Sequence, residues 1–203
     1  GSPCALESDE QWRTAPSPLL FDDYRFGERY DARLEIPGWS RPGFDDSGWS
    51  PALRAPLPRG ERRLCPVEPI DVVREICPLS VAKTEDGFLY DFGVNTAGVC
   101  RLRLRGTPGQ CVTLVHSERV VDGRPDIGSI LCGSEHWDRD ISLIHRDVYI
   151  CKGTGEESYT PTFTYHGFRY VLVSGITEDQ AVPELLTYLE IHSLLEERGG
   201  FTC

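Results

Sequence analysis

Alternating apolar and polar residues predict that most of this chain forms β-strands. At 100–105 a cysteine and two leucines alternate with three arginines, a pattern that gives a strand one buried and one solvated face. A Gly/Pro-containing turn at 106–109 leads into a second apolar segment at 111–116, so we expect a hairpin there. Further strands are predicted at 70–74, 88–92, 147–151, 159–164 and 168–173.

Twenty glycines and fifteen prolines divide the sequence into many short apolar segments. This spacing is typical of an antiparallel β-sandwich of the jelly-roll or concanavalin-like kind. The segment Leu185–Leu195 fits a helix and a strand equally well, because its leucines and isoleucine suit either period. The stretch from Gly123 to Asp140 mixes turn-forming and isolated apolar residues, which predicts a long loop of the kind that often binds ligands.

A change in composition near residue 56 predicts two domains. The first fifty-odd residues carry three of the four tryptophans, and a Pro- and Arg-rich stretch at Pro56–Arg63 follows them. Gly1 and Ser2 are interpreted as a remnant of cloning.

Composition excludes some classes of partner. The net charge of −11 argues against nucleic-acid binding, which needs clustered lysine and arginine, and instead suits neutral sugars, divalent cations or basic partners. No apolar run approaches the roughly 20 residues that span a bilayer, so no membrane partner is expected. The eight cysteines lack the spacing of a zinc or redox motif, and Cys100, Cys111 and Cys151 are predicted to be buried thiols. Reduced thiols favour a cytoplasmic location.

Three stretches together resemble bacterial α-L-rhamnosidases. In chain order they are Gly27–Arg33 continued by Gly38–Trp39 and Pro42–Trp49, then Tyr90–Gly98, then Tyr159–Tyr170. The resemblance implies that residues 3–56 are the C-terminal part of the family's N-terminal β-sandwich module and that residues 57–195 form its concanavalin-like domain. It also implies that residues 196–203 lead to the family's catalytic α/α barrel, which the sequence does not include.

The resemblance also bears on activity. Such enzymes hydrolyse terminal α-L-rhamnose with inversion, and their catalytic carboxylates lie in the barrel. No catalytic residue is therefore carried over to this chain, which we expect to be an inactive partner of its own barrel. No cofactor is expected for that role.

A second hypothesis is a carbohydrate-binding module that recognises L-rhamnose in glycans. The rings of Trp39 and Trp49 would stack on the sugar, while Asp31 or Glu28 would accept its hydroxyls or hold Ca²⁺. Some rhamnosidase N-terminal modules are similar to calcium-dependent L-rhamnose binders, but Ala32 here offers no amide ligand beside Asp31. The alternative is that both tryptophans pack in the core and that an arginine, Arg33, bridges to a carboxylate.

Other polar groups are interpreted as structural. Asp91 and Asn95 are predicted to cap the turn around Gly93, while His166 and Arg169 hydrogen-bond to backbone or carboxylate groups. The adjacent pairs Asp22–Asp23 and Asp45–Asp46 do not establish glycosidase geometry, and Asp46 is predicted to cap a turn. His116, His136, His145 and His192 show no metal-binding spacing and receive no ligand role, so no metal site is predicted.

Overall fold

The computed structural model of the chain is nearly all β-strand. It describes residues 7–56, 59–61, 63–131, 140, 143–196 and 198–202. The remaining residues include Gly1, Ser2, His136 and residues 132–139 of the predicted loop, so the predictions for these residues lie outside the described part. In the described part the strands are β1 (Arg13–Thr14), β2 (Leu19–Asp23), β3 (Gly27–Asp31), β4 (Ser50–Pro51), β5 (Ile70–Ile76), β6 (Ser80–Lys83), β7 (Phe88–Arg105), β8 (Cys111–Ser117), β9 (Val120–Val121), β10 (Arg124–Pro125), β11 (Arg146–Ile150), β12 (Glu156–Tyr159), β13 (His166–Ser174) and β14 (Leu186–Ser193).

The chain divides into two compact units. The smaller comprises the described residues of Gly1–Ser17 and Leu34–Pro66, and the larger those of Pro18–Arg33 and Val67–Cys203. In the smaller unit β1 pairs with β4, and the Arg13 guanidinium donates to the carbonyl oxygens of Ser47 and Trp49. This unit thus contains little regular sheet among its described residues.

The larger unit is built on one curled sheet of ten strands. Its main path runs β2-β3-β11-β8-β13-β7-β14-β5, and β6 and β12 also pair with β7. The long strand β7 spans the curve, because its first half pairs with β6 and β13 and its second half with β14 and β12. One continuous core includes five of its even-numbered side chains, those of Tyr90, Phe92, Cys100, Leu102 and Leu104. The prediction of an all-β sandwich is therefore confirmed.

The predicted hairpin between 100–105 and 111–116 is wrong, although both strands exist. The end of β7 already has both edges occupied, since Leu102 is paired with Leu186 on β14 and with Tyr159 on β12. Strand β8 lies between β11 and β13 instead. The turn closed by the Gln110 N–H and the Thr107 carbonyl therefore leads the chain to different partner strands.

Three further local predictions are resolved by the structure. Leu185–Leu195 is mainly strand: Pro183–Leu185 form a 3₁₀ turn and β14 follows. The predicted strand at 159–164 is largely wrong, because β12 ends at Tyr159. Cys100 and Cys151 are buried free thiols as predicted, whereas the prediction for Cys111 is wrong because this thiol is exposed.

Strands β2 and β3 belong to the large sheet, although the sequence placed them with the first 56 residues. Strand β3 pairs in parallel with β11, Tyr30 lying opposite Tyr149, and the two rings stack with centroids 6.0 Å apart. Pairing between segments about 120 residues apart leaves no signal in local periodicity. The domain boundary at residue 56 itself stays a prediction.

Candidate functional site

Asp31, a predicted sugar or calcium ligand, is paired with a neighbouring arginine. The Arg33 side chain donates two hydrogen bonds to the two carboxylate oxygens of Asp31, at 2.9 and 2.7 Å. The hydrogen bond from Arg33 holds the pKa of Asp31 below its ordinary value. This is the arginine–carboxylate contact expected under the packing interpretation, and it engages both oxygens of the carboxylate.

Glu28, the second predicted acidic ligand, is 2% exposed and accepts several internal hydrogen bonds. Its Oε2 accepts from the Tyr159 hydroxyl at 3.0 Å, and its Oε1 accepts from the backbone N–H groups of Thr162 and Phe163. The carboxylate therefore anchors the segment that follows β12, and it also contributes to the raised pKa of Tyr159, which is caused first by burial.

The two predicted stacking tryptophans differ in environment. Trp39 is 62% exposed, whereas Trp49 is half-buried and packs on Phe44 with ring centroids 5.5 Å apart. Both belong to the smaller unit, while Asp31 and Glu28 belong to the larger one. Trp39 is thus the member of the predicted set that presents a free aromatic face.

In each of the two adjacent acidic pairs, one carboxylate caps a turn. Asp23 Oδ1 accepts from the N–H groups of Arg25 and Phe26. The Ser47 N–H donates to Asp45 at 3.0 Å, so the cap comes from Asp45 and the prediction for Asp46 is wrong.

Asp91 has the structural role that was predicted for it. It accepts from the Gly93 N–H at 2.7 Å and from Arg169 at 2.8 and 2.9 Å. The Arg169 hydrogen bond also holds the pKa of Asp91 below its ordinary value. The capping role of Asn95 stays a prediction.

The most concentrated group of buried ionisable residues was not predicted. His116 on β8, Asp147 on β11 and His166 on β13 are all buried, and one ligand atom from each lies within 4.8 Å of the others. His166 Nε2 is 3.1 Å and His116 Nε2 is 3.8 Å from Asp147 Oδ2. The two imidazole rings stack with centroids 4.3 Å apart, and His145 packs on His166. We call His116, Asp147 and His166 the buried His–Asp cluster.

Burial sets the charge of this cluster. It lowers the pKa of His116 to about 3 and that of His145 to about 4, so both rings are neutral at pH 7. Burial alone would raise the pKa of Asp147, but the electrostatic interaction and the hydrogen bond with His166 outweigh it and lower that pKa. The cluster thus holds one carboxylate among imidazoles.

A sequence reading missed this cluster because its members are spread over fifty residues and three strands. His166 lies within the family-like stretch Tyr159–Tyr170, and His116 occupies a core-facing position of a strand predicted at 111–116. The available signal was that His116 falls on a core-facing position of a predicted strand, where a buried imidazole needs a partner.

Two surface depressions of the larger unit are candidate sites for glycoside hydrolysis, which requires two facing carboxyl groups. One, of about 620 Å³, has mainly apolar walls that include Val72, Val99 and Phe163, and Asp71 is its one acidic residue among those described. The other, of about 470 Å³, contains Glu156, Asp179 and Glu184 together with Arg103 and Arg105. In the second, Glu156 lies 3.9 Å from Arg105, so opposite charges offset one another.

No helix in the described part is both long and apolar enough to cross a membrane.

Fold and site together define a β-sandwich region whose buried acidic groups are engaged inside the protein. The bacterial α-L-rhamnosidase concanavalin-like domain matches residues 82–192, and the α-L-rhamnosidase N-terminal domain matches residues 1–74. The chain belongs to the bacterial α-L-rhamnosidase family.

The chain is similar to known α-L-rhamnosidases over most of its length. An α-L-rhamnosidase of Streptomyces avermitilis is 38% identical over 172 residues, which are 84% of this chain and 16% of that protein. The structure of α-L-rhamnosidase from Dictyoglumus thermophilum has a TM-score of 0.82 at 32% identity, covering 97% of this chain and 21% of that one. The crystal structure of the Streptomyces avermitilis enzyme complexed with L-rhamnose has a TM-score of 0.80 at 34% identity, covering 92% of this chain and 17% of that one. The chain therefore spans about a fifth or less of the length of these relatives.

Proposed function

We propose that this chain is a non-catalytic β-sandwich region of an α-L-rhamnosidase that braces the catalytic unit of its parent. The observation that carries the proposal is the engagement of the buried carboxylates. Glu28, Asp31 and Asp147 each accept hydrogen bonds from the protein's own groups, so none of them is placed to donate a proton to a glycosidic oxygen or to activate water.

Inactivity is tested with p-nitrophenyl α-L-rhamnoside. The purified chain is expected to release no p-nitrophenol above the buffer rate, while the full-length Streptomyces avermitilis relative serves as the positive control. Release that scales with the concentration of the chain would refute the proposal. The variants Glu156→Gln and Glu184→Gln would then show whether the acidic depression is responsible.

The bracing role requires a separate measurement. The catalytic region of the parent, produced separately, is expected to melt at a higher temperature when this chain is added, because a partner that binds the folded state stabilises it. An unchanged melting temperature at saturating chain would argue against bracing, whatever the activity assay shows.

A second candidate function is binding of rhamnose-containing glycans, and the exposure of Trp39 favours it. An exposed indole offers a flat apolar face on which a pyranose stacks. Calorimetric titration with L-rhamnose, with and without Ca²⁺, is expected to give a saturable isotherm that Trp39→Ala abolishes. A flat isotherm in both conditions would exclude this function and any calcium requirement.

A cytoplasmic location remains part of the proposal. It is supported by Cys65, Cys77, Cys100, Cys111 and Cys151, which are all free thiols. Fractionation of cells that produce the natural protein tests it, and recovery from the culture medium would refute it.

A further inference from the structure

The buried His–Asp cluster presents three metal-ligand atoms within 4.8 Å of one another in the larger unit. His116 Nε2 and His166 Nε2 lie 3.8 and 3.1 Å from Asp147 Oδ2. Ligands bound tetrahedrally to Zn²⁺ at 2.0–2.1 Å are about 3.3 Å apart, so these two separations bracket the spacing that zinc requires. Two imidazoles and a carboxylate are also a ligand set that zinc accepts.

The hydrogen bonds of His116 fix which of its nitrogens is free. Its Nδ1 lies 3.1 Å from the carbonyl oxygen of His145, which can only accept, so Nδ1 carries the proton. The neutral ring therefore directs the Nε2 lone pair towards the carboxylate of Asp147. His116 Nε2 is buried and has no hydrogen-bond partner. Two electron-rich atoms that face each other in a dry interior are stabilised by a cation between them.

Outer partners already orient two of the three ligands. Metal-binding histidines usually donate their second N–H to a carbonyl or carboxylate, as His116 does to His145. The same carbonyl also accepts from the backbone N–H of His116, so two hydrogen bonds from one residue fix its direction.

Asp147 is positioned through its other oxygen. Its Oδ1 accepts from the Glu28 N–H at 2.9 Å, which leaves Oδ2 for the cluster. Gly27 permits this approach, since a Cβ at this position would lie 2.6 Å from Asp147 Oδ1 and 2.2 Å from the Arg146 carbonyl oxygen.

We propose that His116 Nε2, His166 Nε2 and Asp147 Oδ2 bind one Zn²⁺ ion, with water in the fourth position. The site goes beyond the bracing function and departs from the sequence-based prediction of no metal. Binding of Zn²⁺ displaces the proton that His166 Nε2 donates to Asp147, which frees the lone pair of that nitrogen. The imidazole planes now differ by 24°, so coordination also turns the rings until both Nε2 lone pairs point at one centre. A zinc ion there ties β8, β11 and β13 together.

The test uses the whole chain, stripped with a chelator and titrated with Zn²⁺ or Co²⁺. One equivalent of Zn²⁺ is expected to be retained through gel filtration and to raise the melting temperature, and Co²⁺ is expected to give the absorption bands of a tetrahedral ion. His116→Gln should weaken Zn²⁺ binding by about 100-fold or more, because it removes a direct ligand. His192→Gln, at an exposed histidine on β14, is the matched control and should bind as the wild type does.

Two results would overturn the site. One is the absence of tetrahedral Co²⁺ bands in the wild-type chain, and the other is equal affinity in the wild type and His116→Gln. Should His116→Gln fail to fold, X-ray absorption of the zinc-loaded wild type decides, since the site requires two imidazole ligands and one carboxylate. A different ligand set would also refute the proposal.

Discussion

Glu28 provides a direct test of whether a buried carboxylate in this protein serves structure or ligand binding. Its carboxylate accepts from the Tyr159 hydroxyl and from the amides of Thr162 and Phe163. In Glu28→Ala all three donors lose their acceptor. A buried unsatisfied donor costs about 1–3 kcal/mol, and this full cost applies to the buried Tyr159. Residues 162 and 163 are exposed, so water can partly satisfy their amides. We expect the free energy of unfolding to fall by about 2–4 kcal/mol.

The assay is urea denaturation of the whole chain, in which near-ultraviolet circular dichroism monitors the unfolding of the larger unit. The stacked rings of Tyr149 and Tyr159, with centroids 5.0 Å apart, contribute to this signal. Glu28→Gln keeps an amide oxygen that still accepts from the backbone, so its loss should be smaller than that of Glu28→Ala. Glu68→Ala removes an exposed carboxylate and is the control, with an expected change within about 0.5 kcal/mol. A Glu28→Ala protein as stable as the wild type would show that the carboxylate is not a structural anchor.

Three other substitutions test the sheet and its ion pairs. A Cβ at Gly98 would lie 2.1 Å from a backbone carbonyl oxygen of β14, so Gly98→Ala should lower the stability of the fold by about 1–3 kcal/mol in thermal melting. The control is Gly48→Ala, which should cost less because a Cβ there would have nothing within 4 Å. Equal losses of stability in the two variants would contradict the close approach at Gly98. Leu102→Ala removes a fully buried core side chain and should lower the free energy of unfolding by about 2–5 kcal/mol in urea, and a loss below 1 would contradict the packing. Arg169 lowers the pKa of Asp91 below its ordinary value of 3.8. Their ion pair therefore contributes its full stabilisation at pH values above 3.8, and this stabilisation is lost as the pH falls through the lowered pKa. The difference in melting temperature between wild type and Arg169→Gln should therefore shrink in acid, and a difference independent of pH would refute this account.

Sequence alone was sufficient for the parts of the fold that depend on local alternation. At 100–105 the cysteine and leucines are buried, while Arg103 and Arg105 are exposed, as a period of two requires. The partners of that strand were not predictable in the same way. A turn with two glycines favours a hairpin locally, but both edges of β7 are occupied by strands that lie far along the chain.

The same limit applies to the candidate site. The ion pair of Asp91 with Arg169 was predicted in kind, because a carboxylate beside a glycine turn and an arginine both need partners. The buried His–Asp cluster was not, since spacing along the chain says nothing about His116 and His166 meeting across neighbouring strands. Local rules assign each residue a face, but only tertiary pairing decides which side chains share it.

The length of β7 has a consequence for how the protein folds during synthesis. The strand is complete once residue 105 has left the ribosome, but its partner β14 ends at Ser193 and its partner β13 at Ser174. Until those segments emerge, β6 can pair with only the first residues of β7, so a nascent chain carries a long strand with mostly unpaired edges and exposed leucines, which is a hazard for aggregation. We expect the growing polypeptide to need chaperone protection over this interval, and slow translation between residues 105 and 193 to lower the yield of folded protein.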